Sequence, residues 1–290
     1  MFINHIVEIN YICIYKKLLI MALEVIISKT INVPCVGFGT YKLTGETCIK
    51  VVEEALQFGY RHIDTAQYYN NEEAIGTAVK NSSLDRDKVF ITTKIFPTDF
   101  SRMIPAVEDS LRRLQMDRVD LLLLHWPSDD KTNSIAIEGL NQALNKGYTK
   151  SIGVSNFNIE KLKKALKEAP IICNQVEYHP YIAQQKLLTF MKKNVMFMTA
   201  YSPLAKGRVF KDAVLENLAR KYNRTIGQVV LRWLLQQGDI SVIPKASSAE
   251  KIKENLNIFD FVLASEDMKV ISCLSGDNRI TNSKWSPEWD

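Results

Sequence analysis

Six apolar stretches of this chain end in residues that can hold, move or stabilise a proton. One ends in His62-Ile63-Asp64-Thr65-Ala66, with Tyr68-Tyr69 close behind. Others end in Thr92-Thr93-Lys94, His125-Trp126-Pro127, Gly153-Val154-Ser155-Asn156-Phe157, Asn174-Gln175-Val176-Glu177 and Tyr201-Ser202-Pro203-Leu204. Singly, each has an ordinary use: Asp64 as a helix cap, Lys94 as a solvated surface charge, His125 as a structural histidine. Together they fit proton and hydride transfer to a carbonyl. A tyrosine hydroxyl has a reference pKa of about 10, too high to serve readily at neutral pH, and a neighbouring ammonium lowers it. Lys94 can supply that charge, Asp64 can pair with Lys94, and a neutral His125 can donate a hydrogen bond to the carbonyl oxygen. The chain has no G-x-S-x-G and no Tyr-x-x-x-Lys spacing, so a hydrolase nucleophile and the other common carbonyl-reducing arrangement lack support.

These residues converge only if the elements carrying them do. From Ile31 onward short apolar runs alternate with helix-period segments. The runs are 35–40, 62–64, 89–94, 119–126, 151–155, 171–176, 195–201 and 241–244, and Leu121 to Leu124 is apolar throughout. Strands covered on both faces read that way, as in parallel sheets flanked by helices. The intervening segments, such as 48–58, 104–114, 160–167 and 214–222, are amphipathic; Leu162, Ala165 and Leu166 share one face with lysines opposite. Eight strand–helix units in series predict a closed (β/α)8 TIM barrel, in which catalytic side chains sit at the carboxyl ends of strands. A doubly wound sheet would want G-x-G-x-x-G, and Gly37-Phe38-Gly39-Thr40-Tyr41-Lys42 has Lys42 where the third glycine belongs. A barrel acting on sugar phosphates would want a glycine-rich loop after strands seven and eight, which 202–207 only partly supplies. Residues 24–27 and 31–34, around a Lys29-Thr30 turn, predict a β-hairpin cap at the bottom of the barrel.

Composition narrows the classes further. With 290 residues, 46% hydrophobic and 24% charged, the chain can bury a large core without a disulfide or metal staple. The net charge of +5 is scattered, its basic clusters no longer than Lys16-Lys17, Lys163-Lys164 and Lys192-Lys193, so no nucleic-acid partner is expected. Five scattered cysteines without C-x-x-C argue for a reducing compartment, and four histidines without ligand spacing leave no metal site. Residues 1–20 are interrupted by Glu8 and Lys16-Lys17 and lack a cleavage site, so neither a membrane span nor a signal peptide is expected. They read as a disordered extension or an upstream start, with the barrel occupying 21–290. A cytoplasmic monomer is the expectation.

The string Gly59-Tyr60-Arg61-His62-Ile63-Asp64-Thr65-Ala66-Gln67-Tyr68-Tyr69 resembles the motif around the catalytic Asp and Tyr of the aldo-keto reductase family. Leu124-His125-Trp126-Pro127, Gly153 to Phe157, Tyr201 to Leu204 and Ile243-Pro244-Lys245 follow in the family's order, over about residues 24 to 275. The chain is similar to compact microbial-type members, of the 2,5-diketogluconate reductase and prostaglandin F synthase type. The resemblance implies reduction of aldehydes and ketones with NADPH, NADH being less favoured, by a tetrad of Asp64, Tyr69, Lys94 and His125. Tyr69 and not Tyr68 is then the acid, lying five positions after the aspartate. It further implies that Ser155, Asn156 and Gln175 hold the nicotinamide carboxamide and that Tyr201 is the plate under its ring. Gly39, Thr40, Tyr41, Ser202, Leu204, Ile243 and Pro244 line the cofactor, Lys245, Ser247 and Lys251 meet its 2′-phosphate, and Glu254 and Asn255 its adenine. Tyr41, Phe96 and Trp126, with Tyr69 and His125, would wall the site for a small carbonyl substrate.

Three departures from the family's usual pattern matter. Asn70 stands for a glycine, which asparagine can replace in a left-handed turn. Ala246 replaces a serine, and Lys251 an arginine, giving a point charge where a bidentate fork is common. A short carboxyl end suggests an open site of broad tolerance. The alternative is a non-catalytic member that keeps the cofactor site as a sensing or partner-binding module.

Overall fold

The computed structural model describes residues 31–290 and the backbone of Val25–Ile27. The expectations for residues 1–20, for a domain start at 21 and for the Lys29-Thr30 turn lie outside the described residues. Strands β1 (Val25–Ile27) and β2 (Asn32–Pro34) pair antiparallel, Val25 opposite Pro34, as the predicted hairpin requires. Eight parallel strands follow, β3 (Phe38–Gly39), β4 (His62–Asp64), β5 (Phe90–Ile95), β6 (Leu121–Leu124), β7 (Ile152–Ser155), β8 (Ile171–Glu177), β9 (Phe197–Tyr201) and β10 (Ile240–Val242), each bonded to the next in sequence order. Each overlaps one of the eight predicted runs. The sheet closes where Val36 bridges Val242, with Gly37 N donating to Val242 O and Val242 N to Cys35 O, both at 2.8 Å. The protein is therefore a (β/α)8 barrel.

The main outer helices are α1 (Gly45–Gln57), α2 (Glu72–Asn81), α3 (Met103–Leu114), α4 (Asp130–Asn145), α5 (Ile159–Glu168), α6 (Gln185–Lys193), α7 (Ala213–Tyr222), α8 (Ile226–Gln236), α9 (Ala249–Leu256) and α10 (Ser265–Ser272). The unbroken leucine run of β6 now has a physical reason. Leu121 and Leu123 join Phe90, Cys173 and Phe197 inside the barrel, while Leu122 and Leu124 pack in the layer beneath the helices. Val33 of β2, fully buried, belongs to the interior cluster and plugs its lower end. Higher up the interior turns polar, with His62 Nε2 3.0 Å from Thr92 Oγ1 and Cys173 Sγ 3.5 Å from Thr199 Oγ1. The highest inward positions are charged. Among the described residues no helix is long and apolar enough to cross a membrane.

One helical glycine is dictated by packing. A Cβ on Gly76 in α2 would lie 2.2 Å from the Leu114 carbonyl oxygen at the end of α3. Backbone cannot rotate away as a side chain does, so Gly76→Ala should destabilise the protein by about 1–3 kcal/mol through overpacking. The urea midpoint measures this, and an unchanged midpoint would show that the α2–α3 approach is looser than drawn.

Candidate active site

Asp64 ends β4, Lys94 lies on β5 and His125 follows β6, so three neighbouring strands deliver them to one end of the barrel. Tyr69 arrives on the 3-10 turn Gln67–Tyr69 after β4, which closes through Asn70 in the left-handed region at φ 52°. The asparagine thus takes the conformation expected of it. Lys94, fully buried, donates from Nζ to Asp64 Oδ1 at 2.6 Å, to Thr65 O at 2.7 Å and to the Tyr69 hydroxyl at 3.4 Å. An ammonium has three protons, and here all three have partners. Asp64 accepts at Oδ2 from Gln175 Nε2 at 2.7 Å and caps no helix.

The electrostatics correct one expectation. Burial, together with the negative charge of Asp64, holds the Tyr69 hydroxyl well above its ordinary pKa. Lys94 does not lower it because Asp64, at ion-pair distance, compensates the ammonium locally, and because the site is dry. Burial also lowers the Lys94 ammonium. The result is a hydroxyl that holds its proton firmly. His125 is held well below the ordinary histidine range, first by burial and then by Lys94, so its imidazole is neutral. Among the described residues its buried Nδ1 has no hydrogen-bond partner.

Aromatic rings wall this cluster. The Tyr41 ring lies 5.0 Å from that of Tyr69, and His125 has Tyr69 at 5.5 Å and Phe96 at 5.6 Å. Tyr68 stacks on Phe96 at 4.6 Å and is 55% exposed, the rim position expected of it. Trp126 is buried beside His125.

Ser155, Asn156, Gln175 and Tyr201 form one network with the tetrad. Ser155 Oγ donates to Gln175 O at 2.8 Å, Asn156 Nδ2 to His125 O at 3.1 Å, and the Tyr201 hydroxyl to Asn156 Oδ1 at 2.8 Å. Asn156 has φ 64°, and in the loop after β9 Ser202, Ala205, Lys206 and Gly207 are all left-handed. Such clustering of sparsely populated backbone marks functional segments more often than ordinary turns. Gly39 meets a close approach, since a Cβ there would lie 2.6 Å from Ile243 O, while Gly39 N donates to Pro244 O. Thr40 Oγ1 donates to Asp64 O at 2.9 Å. Lys245, Ser247 and Lys251 are exposed around the start of α9, and Lys251 Nζ pairs with Glu254 Oε2 at 2.7 Å. Leu204 and Asn255 complete this side, Asn255 being buried.

Several residues escaped the sequence reading. Buried Asn71 donates to Thr40 O, Thr40 Oγ1 and Leu43 O, tying the mouth loop down, and Gln67 Oε1 accepts from Phe96 N at 3.2 Å. Trp285, near the carboxyl end, stands 6.1 Å from Phe96. Gln67 lies within the recognised motif and Asn71 just beyond it, and both could have been found there; nothing in periodicity marks Trp285.

Two of the buried histidines, His62 and His125, set an acid limit on stability. Burial lowers His62 as well as His125. Unfolded, each takes up a proton near pH 6.5, which the folded state resists. Stability is therefore full above that pH and falls below it, at about 1.4 kcal/mol per pH unit for each group. Urea midpoints at neutral and mildly acid pH check the sign, and a flat profile would contradict it.

Comparison with known proteins agrees with this geometry. The model of the Aldo/keto reductase family matches residues 35–275. The chain is 38% identical over 266 residues to methylglyoxal reductase DkgB of Escherichia coli O157:H7, covering 89% of this chain and 99% of that one. It is 40% identical over 255 residues to the glyoxal reductase of Bacillus subtilis (strain 168), covering 86% and 92% respectively. Among solved structures, a protein assigned as a 2,5-diketo-D-gluconic acid reductase B superposes with a TM-score of 0.87 at 42% identity, over 89% of this chain and 94% of its own. An eight-stranded barrel with this polar end and these relatives is an oxidoreductase acting on carbonyl groups, and the chain belongs to the aldo/keto reductase family.

Proposed function

We propose that the chain reduces aldehydes and ketones to alcohols with NADPH, and that Tyr69 is the general acid. The observation that carries this is the buried Asp64–Lys94–Tyr69 chain beside a neutral His125 whose Nδ1 has no partner. The donor set fits a dinucleotide: amide and hydroxyl groups of Ser155, Asn156 and Gln175 for a carboxamide, the Tyr201 ring as a plate, Ser202 and Leu204 along the pyrophosphate. Lys245, Ser247 and Lys251 would take the 2′-phosphate and Glu254 and Asn255 the adenine, with Thr40, Tyr41, Ile243 and Pro244 nearer the nicotinamide. When bound, NADPH supplies the hydride. The imidazole of His125 polarises the carbonyl and orients its oxygen toward Tyr69. As charge builds on that oxygen, the Tyr69 hydroxyl gives up its proton, and the tyrosinate left behind faces the Lys94 ammonium. Asp64 and Gln175 hold Lys94 on axis. Tyr41, Phe96 and Trp126 confine a small carbonyl above the acid.

The relatives' names make methylglyoxal and glyoxal the first substrates to try. Steady-state NADPH oxidation should proceed with these and with bulkier aromatic aldehydes, as the short carboxyl end suggests. Strict preference for one size class would overturn the broad-tolerance part of the proposal. The cofactor preference has its own test. Lys251 shares its charge with Glu254 and lacks a guanidinium fork, so Lys251→Arg should tighten NADPH, but not NADH, by about threefold to tenfold. Equal effects on both cofactors in a fluorescence titration would remove Lys251 from the phosphate site.

A further inference from the structure

Glu177 is used by nothing in the chemistry above, yet it is a fully buried carboxylate at the carboxyl end of β8, two residues beyond Gln175 on the same inward face. Burying a carboxylate is costly unless hydrogen bonds replace its water. Glu177 has three. His179 Nε2 donates to Oε1 at 2.9 Å, Ile280 N to Oε1 at 2.7 Å and Thr281 N to Oε2 at 2.7 Å. Tyr181 N donates to His179 Nδ1 at 3.3 Å, which leaves the imidazole proton on Nε2, facing the carboxylate. Burial pushes the Glu177 carboxyl up, but these donors outweigh it and hold the group below the usual carboxylate range.

Two of the three donors are main-chain groups of the carboxyl-terminal segment, more than a hundred residues away. That segment runs from Gly276, whose N donates to Tyr181 O at 3.2 Å, past the Glu177 clamp. Lys206 Nζ meets Ile280 O at 3.4 Å, and Thr281 lies beside the Tyr201 hydroxyl. Farther on, Trp285 reaches Phe96 across the barrel end. The Arg279 guanidinium stacks over Trp289 at 3.5 Å. At the far side Asn158 Nδ2 donates to Glu288 O at 2.8 Å, and Ile159 N donates to both Asp290 carboxylate oxygens, at 3.1 and 3.0 Å. The segment is a strap between the β8 end and the start of α5, crossing beside Tyr201 and Phe96.

We propose that Glu177, backed by His179, is a positioning residue that fastens this strap over the barrel mouth, fixing Tyr201 from behind and setting Trp285 as the last wall of the substrate site. This rests on the reading of the site given above. Loosening the strap removes contacts that the substrate makes equally in the ground and transition states, so it acts on KM more than on kcat.

The test is a full-length double-mutant cycle with two variants that break the same contact from opposite sides. Glu177→Gln keeps the side-chain volume but turns one acceptor into a donor; Ile280→Pro removes a strap N–H, together with a side chain that packs on the core, and changes no residue of the barrel strands. Each should raise KM for methylglyoxal by about tenfold with kcat little changed, and speed trypsin cleavage after Lys284 to a similar degree. The double variant should be little worse than the stronger single one, because both substitutions open the same clamp. Additive effects, or cleavage and KM that stay at wild-type values in either variant, would overturn the proposal. Should Glu177→Gln fail to fold, Ile280→Pro alone decides by the same two readouts. Trypsin cleavage needs no turnover, so a wild type that reduced no carbonyl would refute the reductase reading and still leave the anchor measurable.

Discussion

Tyr69→Phe should lower kcat for methylglyoxal reduction by about 10²- to 10⁴-fold, the range that a positioned general acid contributes, and leave NADPH affinity essentially unchanged. The substitution removes one hydroxyl from a ring already packed between Tyr41 and His125, so the walls of the site persist. What it removes is the proton that burial and Asp64 keep on the oxygen, and the group through which Lys94 reaches the reacting carbonyl. Tyr68→Phe is the control. Tyr68 stacks on Phe96 at the rim, and no hydrogen bond links its hydroxyl to Lys94, so the account allows it only a small effect on KM. Steady-state kinetics and a cofactor titration on both variants distinguish the two tyrosines, and a larger loss from Tyr68→Phe would reverse their assignment.

Lys94→Met should cost stability as well as activity. Lys94 and Asp64 are both buried, and removing the ammonium leaves Asp64 with Gln175 as its remaining side-chain donor. Breaking a buried pair from one side costs about 3–5 kcal/mol, much of it the stranded charge. Adding Asp64→Asn to Lys94→Met removes that charge, so the double variant should regain much of the stability while staying inactive. Urea unfolding with parallel activity measurements separates the two consequences. A double variant as unstable as Lys94→Met would show that packing, not charge, holds this part of the barrel together.

The barrel was legible because its strands are buried on both faces. Leu121 to Leu124 reads as a continuous apolar run because alternate leucines serve two different cores. The clustering of Asp64, Tyr69, Lys94 and His125 was legible because strand ends converge in such a barrel and because the spacing from Asp64 to Tyr69 resembles a known motif. Other features had no such signature. The clamp on the strap joins a side chain to backbone N–H groups of Ile280 and Thr281, and backbone donors leave no pattern in a sequence. Nothing in the sequence around Gly76 marks the Leu114 carbonyl that packs against it. The direction of the Tyr69 shift was missed for a related reason. Residue types allow Asp64 to pair with Lys94, but how far the carboxylate cancels the ammonium, and how fully water is excluded from all three, come only with the fold. Pairwise chemistry can be read from residue types, but its balance depends on burial that only the folded chain supplies.

The most direct measurement is a stoichiometric conversion: wild-type and Tyr69→Phe protein, each with NADPH and methylglyoxal, followed by cofactor consumption and product analysis together. The account predicts one alcohol formed per NADPH consumed by the wild type, and almost no consumption by Tyr69→Phe despite normal NADPH binding. Wild-type protein that binds NADPH tightly yet turns over none of several carbonyls, or a Tyr69→Phe variant as fast as the wild type, would contradict it.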